Sequence, residues 1–212
     1  MPGNHFGLFL AEFIRNPVRT AAFAPSSATL AARMLARLSA SDTVIVELGP
    51  GTGAFTEAIQ RAIQHTTRQT VPRAAPRTHI AIELNERLAT GLAERYPGVD
   101  VINANATSLP EVLGPRRADF VVSGLPWAAY AGPQGEKLID TVAGLLNPGG
   151  TFTQFAYAWS RWAPPARRQL RQLRAAFAEV ELSEIVWANL PPAVVYTAST
   201  PRRAAPREDT ER

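Results

Sequence analysis

The chain has no cysteine among its 212 residues, which excludes a disulfide framework, a thiol nucleophile and a zinc ribbon. Its three histidines, His5, His65 and His79, are scattered, so no metal centre is expected. No apolar run approaches the ~18–20 residues needed to span a bilayer. No charged n-region, apolar h-region and cleavage site opens the chain, and a cytoplasmic location, free or on the inner face of the membrane, is expected. Lysine is nearly missing as well: Lys137 stands alone beside twenty-one arginines. Acids are missing from two stretches. Between Glu57 and Glu83 lie Arg61, Arg68, Arg73 and Arg77, and between Asp140 and Glu179 lie Arg161, Arg167, Arg168, Arg171 and Arg174. A GC-rich genome explains arginine in place of lysine but not the clustering. Local positive fields of this kind attract phosphates on nucleic acid or on an anionic membrane. What is present is enough for a core: 46% of residues are hydrophobic and 19% charged, which excludes a disordered or fibrous chain.

After residue 40 strand-like and helix-like segments alternate. Strands are expected at 43–48, 79–84, 99–104, 118–123, 151–157, 180–187 and 194–200. Helices are expected at 54–64, 85–96, 134–146 and 165–177, and Asn147-Pro148-Gly149-Gly150 reads as a stop. This alternation predicts an α/β fold, a doubly wound, mostly parallel seven-stranded sheet closed by an antiparallel edge strand. Residues 65–78 read as a polar, proline-punctuated loop, and 201–212 as a disordered tail. Two helical segments precede the core, 4–15 and about 26–39, the second opened by Pro25-Ser26-Ser27 with a hydroxyl N-cap. The domain expected is 21–200, with 1–20 as an amphipathic appendage.

Glu47-Leu48-Gly49-Pro50-Gly51-Thr52-Gly53 lies where the first strand passes into a helix. Glycines there let the backbone turn tightly against a ligand, and the following helix points free N–H groups at the same place. Alone, the loop also satisfies a dinucleotide fingerprint, Gly49-x-Gly51-x-x-Ala54. Its neighbours narrow the reading. Glu47 would repel a pyrophosphate but hold an ammonium or a sulfonium. Glu83 ends the second strand, where a carboxylate accepts ribose hydroxyls. Asn105-Ala106 follows the third strand, where an adenine edge would lie. Ser123-Gly124-Leu125-Pro126-Trp127 follows the fourth, at the mouth of the crevice.

At these residues the chain resembles the class I S-adenosylmethionine-dependent methyltransferases. Phe13-Ile14-Arg15-Asn16-Pro17, Ala24-Pro25-Ser26-Ser27, Glu47–Gly53, Ser123–Trp127 and Asn189-Leu190-Pro191-Pro192-Ala193 together resemble the bacterial phospholipid N-methyltransferases of the soluble, peripheral type, over about residues 5–200. The resemblance implies S-adenosylmethionine as cofactor, held by Glu47, Gly49, Gly51, Gly53, Glu83, Asn105, Ala106 and Ser123. It implies phosphatidylethanolamine as substrate, methylated towards phosphatidylcholine. The chain departs from the family in carrying Asn105 where aspartate is usual. The interval from Gly53 to Glu83 is also longer than the usual ~20 residues, which the 65–78 loop accounts for.

Ribosomal-RNA adenine dimethyltransferases share much of this pattern, and arginine clusters suit RNA too. Those enzymes carry Asn-Leu-Pro-Tyr after the fourth strand. Here Gly124 takes the asparagine's place, and the appended helical RNA-binding domain has no counterpart before residue 212, so a nucleic-acid partner is not expected. Lipid explains the appendages better. At a 100° step Phe6, Phe9, Leu10, Phe13 and Ile14 fall in one arc, opposite Leu8, Glu12 and Arg15. Such a helix suits a headgroup boundary, or packs on the sheet. Arg167, Arg171 and Arg174 share a face beside Leu170, Leu173 and Phe177, with Trp159 and Trp162 upstream; this is an anionic-membrane contact or an ordinary solvated helix. Trp127 and Tyr157 are the candidates for an aromatic wall around the amine, ahead of Tyr130 and Tyr196, although Tyr157 equally suits the core.

Overall fold

The computed structural model describes residues 27–69, 76–127 and 133–202. The amphipathic stretch 1–20 with Phe6, Phe9, Leu10 and Phe13, Tyr130, and the tail from 203 lie outside the described residues. The elements in chain order are α1 (Ala28–Met34), β1 (Val44–Leu48), α2 (Ala54–Gln69), β2 (Thr78–Glu83), α3 (Glu86–Arg95), β3 (Asp100–Asn103), α4 (Leu109–Leu113), β4 (Ala118–Ser123), α5 (Pro133–Leu145), β5 (Leu146–Tyr157), α6 (Pro164–Ala176), β6 (Phe177–Leu182) and β7 (Ala193–Pro201). The seven strands form one sheet in the order β3-β2-β1-β4-β5-β7-β6.

Strands β1 to β5 pair in parallel, while β7 runs antiparallel to both β5 and β6. The antiparallel strand is therefore not at the edge, as the sequence led us to expect. It is inserted one place in, and β6 forms the edge. The cause is chain connection: α6 carries β6 across to the far side, and the 183–192 connection returns β7 into the gap beside β5. As a result β6 points the same way as β5, and the 158–163 and 183–192 connections leave the sheet at one end. There the Ala158 N–H donates to the Pro192 carbonyl at 2.8 Å.

Alternation along the strands assigns the two faces. Val46 and Leu48, with Ile80 and Ile82, pack against Leu109 and Leu113 of α4, Leu138, Ile139 and Val142 of α5, and Leu173 of α6. On the other face Ile45, Phe120, Val122 and Val195 pack against Leu30 and Met34 of α1 and Phe55 and Ile59 of α2, and Ala81 packs against Leu92 of α3. Each such side chain, fully buried, is worth ~1.5–3 kcal/mol, so both helical layers are firmly seated.

The boundaries differ from expectation in a few places. β5 begins at Leu146, ahead of the Asn-Pro-Gly-Gly stop, because Leu146 pairs with Ala118 before the register shifts to Phe120↔Thr151. β6 ends at Leu182, where Ser183 closes the ladder by donating its N–H to the Val195 carbonyl at 2.9 Å and accepting from the Val195 N–H at 3.0 Å. β7 runs to Pro201, into the expected tail, and Arg202 donates its N–H to the Ala176 carbonyl.

Candidate cofactor and amine site

The parallel strands deliver their carboxyl ends to one rim, and the order reverses between β1 and β4, the place where open α/β sheets bind ligands. Gly49, Gly51 and Gly53 have φ of +67°, +57° and +91°, a region that strains any residue with a Cβ. The loop is packed at both ends and open in the middle. A Cβ would lie 2.7 Å from Leu125 Cδ2 at Gly49 and 2.7 Å from Leu92 Cδ1 at Gly53, but would meet nothing within 4 Å at Gly51. Arg95, at the end of α3, donates to the Thr52 carbonyl at 2.9 Å and clamps the loop from outside.

Glu83 stands beside the open position. Its Oε2 accepts from the Gly51 N–H and its Oε1 from the Asn85 N–H, both at 2.9 Å. Each carboxylate oxygen keeps a second acceptor site, so Glu83 shapes the loop and retains capacity for hydroxyl donors. Asn103, which the sequence reading passed over, fixes this strand end by donating to the carbonyls of Glu83 and Leu84 at 2.9 and 3.1 Å.

Glu47 is placed differently from the sequence reading, which turned its carboxylate into the loop. It shares the strand face of Ile45, so its side chain lies under the first turn of α2 and is wholly buried. Thr56 Oγ1 donates to its Oε2 at 2.7 Å, and His79 Nε2 lies 3.3 Å from the same oxygen. Gln60 Nε2 is 3.0 Å from His79 Nδ1. His79 Nε2 is itself buried and makes no hydrogen bond, so its approach to Glu47 is a contact only. The carboxylate's other oxygen, Oε1, is buried and has no partner.

After β4, Ser123 is fully buried and its hydroxyl accepts from Trp127 Nε1 at 3.0 Å and from the Leu125 N–H at 3.3 Å. Trp127 is only 4% exposed and meets Phe152 edge to face, so it underlies this loop and presents little surface as a wall. The Gly124 N–H donates to the Leu48 carbonyl at 2.8 Å, and a Cβ on Gly124 would sit 2.5 Å from the Gly49 carbonyl oxygen. The asparagine of the RNA enzymes is therefore not merely absent here. In this backbone no side chain fits at that position.

Asn105 is exposed, and its Oδ1 already accepts from the Thr107 N–H and Oγ1, both at 3.0 Å, capping a 3-10 turn that starts at the buried Ala106. The amide oxygen expected to meet an adenine amine is thus engaged locally. Tyr157 closes β5, half-buried, stacked on Trp159 at 6.2 Å and edge-on to Phe155, which in turn meets Phe55 at the start of α2. Burial pushes its phenol above the ordinary value, so the hydroxyl stays protonated at neutral pH. Tyr196 is buried within the sheet's other face, away from this line of rings. The arginine face of α6 is exposed at Arg167, Arg171 and Arg174, whereas Leu173 and Phe177 are committed to the core. At the far motif, Asn189 accepts from the Ser27 N–H at 2.9 Å and donates to the Pro191 carbonyl, tying Ser27 to the Asn-Leu-Pro-Pro motif.

No family model matches the chain. The ornithine lipid N-methyltransferase of Singulisphaera acidiphila is 31% identical to it over 156 residues, covering 70% of this chain and 76% of that protein. The chain belongs to this family of lipid N-methyltransferases. Among solved structures, an N-methyltransferase from Bradyrhizobium japonicum in complex with S-adenosyl-L-homocysteine is 16% identical, with a TM-score of 0.58 over 82% of this chain and 85% of its own. A S-adenosylmethionine-dependent O-methyltransferase from Thermotoga maritima is 15% identical, with a TM-score of 0.60 over 92% of this chain and 71% of its own. These likenesses are of fold, the class I methyltransferase fold. A lipid N-methyltransferase of this class is an S-adenosylmethionine-dependent enzyme, and the residues present fit that cofactor: Gly51 opens onto free space, and Glu83 keeps acceptor capacity beside it. Among the described residues no helix of this lipid N-methyltransferase is long and apolar enough to cross a membrane.

Proposed function

We propose that this chain transfers methyl groups from S-adenosylmethionine to the headgroup amine of phosphatidylethanolamine, stepwise towards phosphatidylcholine, while docked on the inner face of the cell membrane. A lipid amine as acceptor is carried by one observation, the identity with a lipid N-methyltransferase over most of both chains. The acid-free, arginine-bearing stretch between Asp140 and Glu179 favours a headgroup that also holds a phosphate. A second reading, the amine of an ornithine lipid, is favoured by what that relative acts on.

Position supports the following roles. Gly49, Gly51 and Gly53 give the backbone its close approach to the nucleoside. Glu83 accepts from the ribose hydroxyls, and Ala106, with Asn105 as cap, forms the adenine-side wall. Glu47 ties β1 to the first turn of α2 through Thr56. When bound, S-adenosylmethionine supplies a methyl already activated on sulfur, so the remaining task is alignment and exclusion of water. Ser123 and Trp127 fix the backbone of the 123–127 loop, and Gly124 keeps it against Gly49. Tyr157 offers an aromatic face to an amine that grows more cationic with each methyl. The stretch with Phe6, Phe9, Leu10 and Phe13 and the arginine face of Arg167, Arg171 and Arg174 are assigned to membrane docking.

The test is incubation with labelled S-adenosylmethionine and vesicles containing either phosphatidylethanolamine or ornithine lipid, followed by identification of the labelled headgroup. Label on phosphatidylethanolamine is expected. Label confined to ornithine lipid would replace the first reading with the second, and label on neither would overturn both.

A further inference from the structure

The exposed large apolar side chains of the described residues are Leu84, Trp159, Trp162, Leu182, Trp187 and Leu190. Their placement is one-sided. Leu84 follows the carboxyl end of β2, Trp159 and Trp162 follow β5, Leu182 is the last residue of β6, and Trp187 and Leu190 lie in the connection from β6 to β7. Since β6 runs parallel to β5, every one of them sits at the carboxyl rim, the end that carries the Gly49–Gly53 and Ser123–Trp127 loops. Trp162, Trp187 and Leu190 are 72%, 74% and 73% exposed. The two connections that carry them are joined by the Ala158–Pro192 hydrogen bond.

Charge accompanies this rim. The Arg161 guanidinium lies 4.5 Å over the Trp162 ring. Helix α6 starts two residues later with no acid in its first turn, and carries Arg167 and Arg168 exposed near its N-terminus. Cations there oppose the helix dipole, a cost that an anionic surface facing the rim would offset. Tryptophan prefers the boundary between headgroups and acyl chains, and arginine is drawn to anionic headgroups.

We propose that the carboxyl rim of the sheet is the face this chain lays on an anionic bilayer, with Trp162, Trp187 and Leu190 as apolar anchors and Arg161, Arg167 and Arg168 as the charged flank. The proposal rests on the lipid-amine reading and deepens it. With the rim on the membrane, the crevice opens directly onto the headgroup layer, so a lipid amine reaches the 123–127 loop while its acyl chains stay in the bilayer.

The experiment compares the full chain with the Trp162→Ser/Trp187→Ser/Leu190→Ser variant. Vesicle flotation uses equal parts phosphatidylglycerol and phosphatidylethanolamine, with pure phosphatidylcholine vesicles alongside. Methyl transfer is measured in parallel to a short-chain phosphatidylethanolamine kept monomeric in solution. The variant is expected to lose about tenfold or more in affinity for the anionic vesicles, with its urea midpoint and its transfer to the monomeric lipid essentially unchanged. Wild-type fluorescence is expected to be quenched by lipids brominated high in the acyl chain. Flotation of the variant equal to wild type would overturn the proposal, as would loss of all binding on removal of residues 1–26 with no effect of the rim substitutions, since the N-terminal segment would then be the docking element. Retention of an RNA oligonucleotide that the same substitutions abolish would overturn it too. Failure of wild type to methylate the monomeric lipid would count against the phosphatidylethanolamine reading alone, because flotation and quenching still report the rim.

Discussion

Gly124→Ala is the most direct probe of the site's construction. The added Cβ would lie 2.5 Å from the Gly49 carbonyl oxygen, a backbone atom with no rotamer to move aside. Carbon–oxygen contacts are ordinarily ~3.3 Å or longer, so the two loops must part by about 0.8 Å. Their tether, the 2.8 Å bond from the Gly124 N–H to the Leu48 carbonyl, would stretch beyond hydrogen-bonding range. Overpacking of this kind costs ~1–3 kcal/mol, and the lost bond adds ~1 kcal/mol. With a urea slope of ~2–3 kcal/mol per molar, the midpoint is expected to fall by about 1 M. Displacing the glycine loop by nearly 1 Å should also lower kcat/KM by roughly 10²-fold. Gly144→Ala at an exposed position of helix α5, where a Cβ meets nothing within 4 Å, is the control, and it should be neutral or stabilising by ~0.5–1 kcal/mol. A Gly124→Ala protein with wild-type midpoint and turnover would refute the close approach of the two loops and the argument against a side-chain amine anchor at this position.

Glu83→Ala strips two backbone donors of a charged acceptor, each such bond being worth ~1.5–3 kcal/mol. Titration calorimetry with S-adenosyl-L-homocysteine should show affinity reduced about 10²-fold or more, and an unchanged affinity would remove Glu83 from the cofactor site. Thr56→Val keeps the shape of a buried residue but takes the 2.7 Å donor from Glu47, so urea unfolding should show a loss of ~1.5–3 kcal/mol. Asp119 is pushed up by burial but pulled further down by the Val44 N–H, the Asn147 amide and the Thr43 donors, leaving its pKa below the ordinary value. A lowered folded pKa contributes stability that is present above the unfolded value near ~3.9 and lost as pH falls through the folded one. The Asp119→Asn protein should therefore lose less stability on acidification than wild type when unfolding is followed between about pH 2 and 6, and parallel curves would contradict this assignment.

Much of the frame is legible from the sequence because its signals are local. β-branched runs ending in glycine, proline or asparagine place the ends of β1, β2 and β4 to within a residue, and those ends are what position the site. Gly49, Gly51 and Gly53 are equally readable, because a positive φ is a property of single residues. What is not legible depends on partners distant in the chain. The insertion of β7 between β5 and β6 follows from a pairing between strands that look alike in sequence. Glu47 reads as a ligand carboxylate from the loop alone, yet period-two alternation from the buried Ile45 turns it towards α2, where Thr56 and His79 wait. Asn105 is the opposite case: its capping bonds to Thr107 are local, and an Asn-x-Thr sequence at a strand end carries that signal. Arg95 and Asn103 give no such signal, because their targets are main-chain carbonyls on other elements.

The bond between Ser27 and Asn189 sets a geometric condition on everything that precedes it. It fixes the point of departure of the first 26 residues beside the 183–192 connection, at the crevice end of the molecule. The stretch carrying Phe6, Phe9, Leu10, Phe13 and Ile14 is covalently attached at that point, and a short covalent tether sets an effective concentration of order millimolar. An affinity for the sheet's edge or for a lipid layer too weak to matter in a free peptide becomes decisive under such tethering, so a substitution at Asn189 should alter how the amino terminus is used without touching the terminus itself.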